Sequence, residues 1–165
     1  MAKQEEVSVF DPNLFLDAQT DVANEKRAII PVENPDSEDG LYMAVIGEIK
    51  TDSGTIGKGD RTGQPWISMI IPLKLQFGAK LQGLELPAEF QLTDRAFLDI
   101  TPQGTLDNSK GKNRSQRMYR DATGLNVPGE PFAWRMLEGR PVKVKLAHEL
   151  YEENIVEHVA QIFPS

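Results

Sequence analysis

The chain has 165 residues, no cysteine, 26% charged residues and a net charge of -7 at pH 7. That length fits one domain able to bury roughly 70% of the surface exposed by its unfolded chain, and the lack of thiols excludes a disulfide scaffold, a zinc ribbon and a cysteine nucleophile. Residues 1–10 carry three ionised side chains and no apolar stretch, and no apolar run reaches the roughly eighteen residues of a membrane span. Neither secretion nor membrane insertion is expected, and the cytoplasm is the expected location.

The charge is segregated. Residues 1–53 hold 12 acids and 4 bases, residues 54–148 hold 9 acids and 14 bases, and residues 149–165 hold 4 acids and no base, giving -8, +5 and -4. A basic middle between acidic ends suits a domain that attracts a polyanion through its centre. The plainer alternative is solvated charge clustered by chance.

In chain order, residues 1–39 read as an acidic extension, interrupted by Pro12, Pro31 and Pro35, with Phe10, Leu14, Phe15 and Leu16 expected to dock on the domain that follows over 40–165. Residues 41–50 predict a strand with Leu41, Met43, Val45 and Ile49 inward. Residues 53–63, with Gly54, Gly57, Gly59 and Gly63 around Lys58 and Arg61, read as a mobile basic turn. Its spacing does not match a phosphate-binding P-loop, and Gly59 stands where Ser or Thr is required.

Residues 66–77 alternate most cleanly, with Ile67, Met69, Ile71, Leu73, Leu75 and Phe77 on one face and Trp66, Ser68, Ile70, Pro72, Lys74 and Gln76 on the other. Pro72 predicts an edge or bulged strand. Residues 90–101 predict the next strand, with Phe90, Leu92, Ala96, Leu98 and Ile100 inward and Asp94 breaking the row. A helix follows from an Asn113 cap to Ala122, ended by Gly124, then a helical turn near 131–137. Strands at 141–147 (Val142, Val144, Leu146 inward) and 154–163 close the chain. This pattern predicts a mainly β fold: a small antiparallel five-stranded barrel of the oligonucleotide-binding (OB) type, with one short helix before the last two strands.

The polar strand faces pair rings with cations: Trp66 with Lys74, and Arg95 with Phe97, while Lys143 and Lys145 share the face of their strand. Rings for base stacking beside cations for phosphates are what a sequence-tolerant single-strand binder needs. The alternative puts Trp66 and Phe97 in a second small core under the helix or the extension. The stretch from Lys110 to Arg120 adds Lys110, Lys112, Arg114, Arg117 and Arg120 with no acid among them. Arg114, Arg117 and Arg120 share a helix face and could follow phosphates, or else form a solvated face paired with Asp107, Asp121 and the acidic termini. His148 and His158 lack a third ligand, so no metal is expected. Asp94, Asp99 and Asp107 lack the accompanying Lys of a nuclease motif.

Four stretches then carry a resemblance: Phe97-Leu-Asp-Ile-Thr101, Gly104-Thr-Leu-Asp-Asn-Ser-Lys-Gly-Lys-Asn113, Gly124-Leu-Asn-Val-Pro-Gly129 and Leu137-Glu-Gly-Arg-Pro-Val-Lys-Val-Lys145. Together with Phe15-Leu-Asp-Ala18 and the run from Ile30-Pro31 to Gly40-Leu-Tyr42, they resemble a family of small bacteriophage proteins encoded among replication and recombination genes. Several of these look like single-stranded DNA-binding proteins with an OB barrel. The resemblance implies a non-enzymatic protein of the host cell cytoplasm that binds single-stranded DNA without a cofactor. Other phage replication or recombination proteins and further copies of the chain are the remaining candidate partners. The chain departs from many such binders in lacking a long acidic tail ending in phenylalanine; Phe163 would be a minimal version. The competing class is a phage structural or host-directed interaction module that pairs through a sheet edge, with Trp66 and Phe97 as interface anchors.

Overall fold

A computed structural model describes residues 10–24, 28–84, 86 and 90–165. Among them, six strands form one antiparallel sheet: β1 (Tyr42–Ile46), β2 (Lys50–Thr55), β3 (Pro65–Leu75), β4 (Phe90–Phe97), β5 (Pro141–Tyr151) and β6 (Asn154–Pro164). The four-residue helix α1 (Ala79–Gln82) follows β3, and α2 (Arg114–Thr123) lies between β4 and β5. The path runs β2-β3-β1-β5-β6, with β4 on the other side of β3. β4 and β6 approach each other, but among the described residues no ladder joins them, so the sheet is open. No helix among these residues is long and apolar enough to cross a membrane.

β3 positions everything else. One of its edges pairs with β4 through residues 68–75; the other pairs with β2 through residues 65–70 and with β1 through residues 73–75. This corrects the expectation for Pro72, which stands in a central strand. Its carbonyl accepts from Gly47 N at 2.8 Å, at the break between β1 and β2. The missing N–H therefore faces a gap between strands, where no ladder bond is lost.

Two further expectations are overturned nearby. The strand predicted over 41–50 stops at Ile46, and its inward face is Tyr42, Ala44 and Ile46 rather than Leu41, Met43, Val45 and Ile49. Both faces of that stretch are apolar, so alternation could not choose between them. The chosen register buries the Tyr42 ring while its hydroxyl donates to Pro31 O at 2.6 Å, the pairing a buried tyrosine requires. Residues 50–55, assigned in part to the glycine turn, form the sixth strand instead. Every residue of β2 is exposed, so a hydrophobic pattern has nothing to register there.

The core joins Ile71, Leu73 and Leu75 of β3 to Val142, Val144 and Leu146 of β5, Leu92 and Ala96 of β4 and Tyr119 of α2. Asp94, which breaks the inward row of β4, accepts the Tyr119 hydroxyl at 2.6 Å, tying helix to sheet. Burial first, and then the Asp94 charge and hydrogen bond, push the Tyr119 phenol well above its ordinary range. Ile30 is fully buried. Its N–H donates to Glu157 at 3.0 Å, and its carbonyl meets the His148 ring at 2.8 Å. Phe10, Leu14, Phe15 and Leu16, expected to dock, are exposed.

Candidate functional site

The outer face of the β2-β3-β4 region follows from register. Trp66 stands opposite Gly54, Ser68 lies between Asp52 and Phe97, and Ile70 lies between Lys50 and Arg95. The Trp66 and Phe97 rings are 5.8 Å apart, and the Arg95 guanidinium lies 5.9 Å from the Phe97 centroid. Phe97 is 60% exposed, whereas Trp66 is half-buried. Gly54 explains the indole's position, because a Cβ there would lie 2.7 Å from its Nε1. Only glycine lets the ring approach the neighbouring strand this closely. Among the described residues, these rings rest on each other and on β2 rather than under α2.

Beside the pair opens a cleft of about 360 Å³, lined by Trp66, Arg61, Gln64, Lys112, Asp99 and Asp107 among others. Asn113 ties two of the lining residues, Asp99 and Asp107, to each other. Its side chain accepts from Asp99 N at 2.9 Å and donates to the carbonyls of Asp99 and Asp107 at 3.1 and 2.9 Å. Asn113 thus occupies the helix N-cap position, in a left-handed conformation at φ 54, without a side-chain cap bond. That corrects its expected role from helix cap to loop tie. Hydrogen bonds from the Ser109 side chain and backbone lower the Asp107 carboxyl below its ordinary value. Asp94, Asp99 and Asp107 therefore each have a bonding role within the fold.

The thirteen cationic and aromatic residues singled out from the sequence fall into separate groups. Trp66, Arg95 and Phe97 adjoin, with Arg61 and Lys112 in the adjacent cleft. Lys58 is exposed in the same loop as Arg61, and Lys110 in the loop that holds Lys112. Lys74 lies toward the opposite end of β3, paired in register with Val45 and Gln91. Lys143 and Lys145 belong to β5, where Lys143 pairs with Asp39 at 2.8 Å. Arg114 and Arg117 line a different groove, against the end of β6. Arg120 does not join them as an open phosphate-tracking cation. Its Nε and Nη2 donate to Leu125 O at 3.2 and 3.1 Å, and its guanidinium lies 4.8 Å from the Phe132 centroid.

Sequence reasoning missed Asp52 and Gly54. Asp52 pairs with Arg95 at 3.1 Å, so an anion approaching Arg95 must compete with a carboxylate. Hairpin symmetry about Asp60 would have placed Gly54 opposite Trp66, but a search for apolar alternation passes over a strand of Lys, Thr, Asp, Ser and Gly. No model of a known protein family matches the chain, and no curated protein matches it.

Proposed function

We propose that the chain is a non-enzymatic, sequence-tolerant single-stranded DNA-binding protein, acting in the phage replication or recombination setting implied by its sequence resemblance. The observation that carries this reading is the Trp66–Phe97 pair at 5.8 Å on an outer sheet face, with Arg95 over Phe97. Rings contribute about 1–3 kcal/mol per stacked base, and they tolerate sequence because every base has a π-face.

The architecture supports the same reading. If β1 and β2 count as two halves of one strand interrupted at residues 47–49, the order becomes that of an OB barrel left open between its third and fifth strands, with the helix between the third and fourth. OB folds bind oligonucleotides on the face of strands two and three and with the loop between strands one and two. Those positions are β3, β4 and the loop over residues 56–64, where Trp66, Phe97, Arg95, Lys58 and Arg61 lie. Arg61 and Lys112 would neutralise phosphates as they enter the cleft.

The test is fluorescence titration with oligo-dT in a Trp134→Phe background, which leaves Trp66 as the sole indole. Quenching that weakens with added salt supports the reading; an unchanged signal, together with no shift of a labelled single strand, removes it.

A further inference from the structure

Residues 10–24 form a segment of unusual character. Phe10, Leu14, Phe15 and Leu16 are 73, 69, 67 and 83% exposed, and the two phenyl rings meet at 5.6 Å. Asp11, Asp17 and Asp21 accompany them, with no Lys or Arg between residues 10 and 24. The apolar residues sit on or beside a 3-10 turn, Pro12–Leu16, with Pro at its start and the Asp11 carboxylate accepting from Asn13 N at 3.0 Å. A turn already formed lowers the ordering cost of binding. Contiguous exposed apolar surface of this kind marks a contact site.

A matching surface lies elsewhere on the same chain. Between α2 and the end of β6 runs a groove of about 550 Å³, with Met118, Ala122, Ile162 and Phe163 among its apolar lining and Arg114 and Arg117 beside them. The one acid among its described lining residues, Asp121, already pairs with Arg117 at 3.5 Å. The Trp66 cleft is the poorer match for an acidic segment, because Asp99 and Asp107 line it.

We infer that the acidic, aromatic segment of one copy seats in the α2–β6 groove of a second copy, its rings and leucines against the apolar lining and its carboxylates toward Arg114 and Arg117. Within one chain the segment is exposed, and none of its described residues lines the groove. The chain between Leu16 and the buried anchor Ile30 is long enough, at about 3.3–3.6 Å per residue, to reach a neighbour. The contact involves few side chains, so the association is weak and concentration-dependent. It stands independently of the nucleic-acid reading.

Charge exchange in the full-length protein tests it, read by sedimentation velocity from micromolar to submillimolar concentration. The expected result is reversible self-association of the unaltered chain, weakened about tenfold both by Asp17→Arg with Asp21→Arg and by Arg114→Asp with Arg117→Asp. An equal mixture of the two double variants recovers association, because each segment then meets an opposite groove. Leu14→Ser with Phe15→Ser removes association while the circular dichroism of the domain is retained. A monomer at every concentration, including a segment folded onto its own groove, overturns the inference. So does self-association unaltered by either double variant, or a mixture that fails to recover it.

Discussion

The outer face of β3 and β4 and the helix α2 carry the same kinds of side chain, aromatic rings and arginines, but with opposite outcomes. On the sheet, Phe97 faces solvent and Trp66 half does so, with Arg95 held beside them by an exposed pair with Asp52. On the helix, Tyr119 is fully buried, and Arg120 is bound to a backbone carbonyl and to Phe132. The difference is geometric. A strand at a sheet surface sends alternate residues outward. A short helix lying on the sheet turns part of its circumference into the fold, so a run of like charge along it is divided between solvent and structure.

The largest effect that separates the two regions is on stability. Tyr119→Ala is expected to cost about 3–5 kcal/mol, the range for truncating a large buried aromatic, measured by urea unfolding. Its phenol also sets a pH limit. Burial first, and then the charges of Asp36, Glu157 and Glu33, push Tyr42 up to about 12 from 10.0, and Tyr119 is raised as well. Both are held neutral in the folded state, so their stabilisation is complete below pH 10.0; that of Tyr42 is lost as pH rises toward about 12, and that of Tyr119, raised further, goes on declining above it. Tyr119→Phe should flatten that alkaline decline; an unchanged slope would place the titration elsewhere.

Next comes the sheet face, where the effect should fall on binding. Trp66→Ala is expected to lower affinity for oligo-dT by about 1–3 kcal/mol, seen in anisotropy titrations, with a smaller loss of stability than Tyr119→Ala. Gly54→Ala would displace the indole, because the new Cβ would lie within 2.8 Å of three ring atoms, and should reproduce part of the binding loss with the ring still present. A large fall in melting temperature with unchanged affinity would erase the contrast between sheet and helix.

The arginines sharpen the comparison within α2 itself. Arg120→Gln should destabilise by about 1–2 kcal/mol through its lost backbone bonds and ring contact. Arg114→Gln with Arg117→Gln should leave thermal stability within about 0.5 kcal/mol. If that outer pair reaches phosphates, the salt slope of binding falls by about 1.4, at roughly 0.7 per contact. Equal destabilisation by Arg120→Gln and by the outer pair would show that the helix is not divided as described.

The smallest effect concerns Asp39. Hydrogen bonds from Lys143, Ser37 and the Leu41 backbone hold its carboxyl well below the ordinary 3.8. A depressed carboxylate stabilises the fold above its unfolded value, and that contribution is lost as pH falls below about 3.8. Asp39→Asn should therefore make the acid limb of a pH–melting curve slightly shallower, and a steeper limb would contradict the assignment.

By itself the sequence determined the elements whose two faces differ. The alternations in β3 and β5 placed Ile71, Leu73, Val142 and Val144 inside, and Gly124 ended α2 as expected, because burying apolar side chains and ending a helix are local choices. It also put Trp66 and Phe97 on outward faces, since a one-residue slip would move every side chain to the wrong side. Tertiary structure decided the cases where local signals tie or vanish. β1 took its face from the bond between Tyr42 and Pro31, β2 exists as a strand through pairing with β3, and Pro72 is tolerated centrally by a break in its neighbour. It also decided which cations remain open to solvent: Arg120 and Arg117 lie three residues apart on one helix, yet Arg120 turns to Leu125 O while the Arg117 side chain is 78% exposed. Charge is a property of the residue, but its availability depends on which acceptors the fold brings within hydrogen-bond reach.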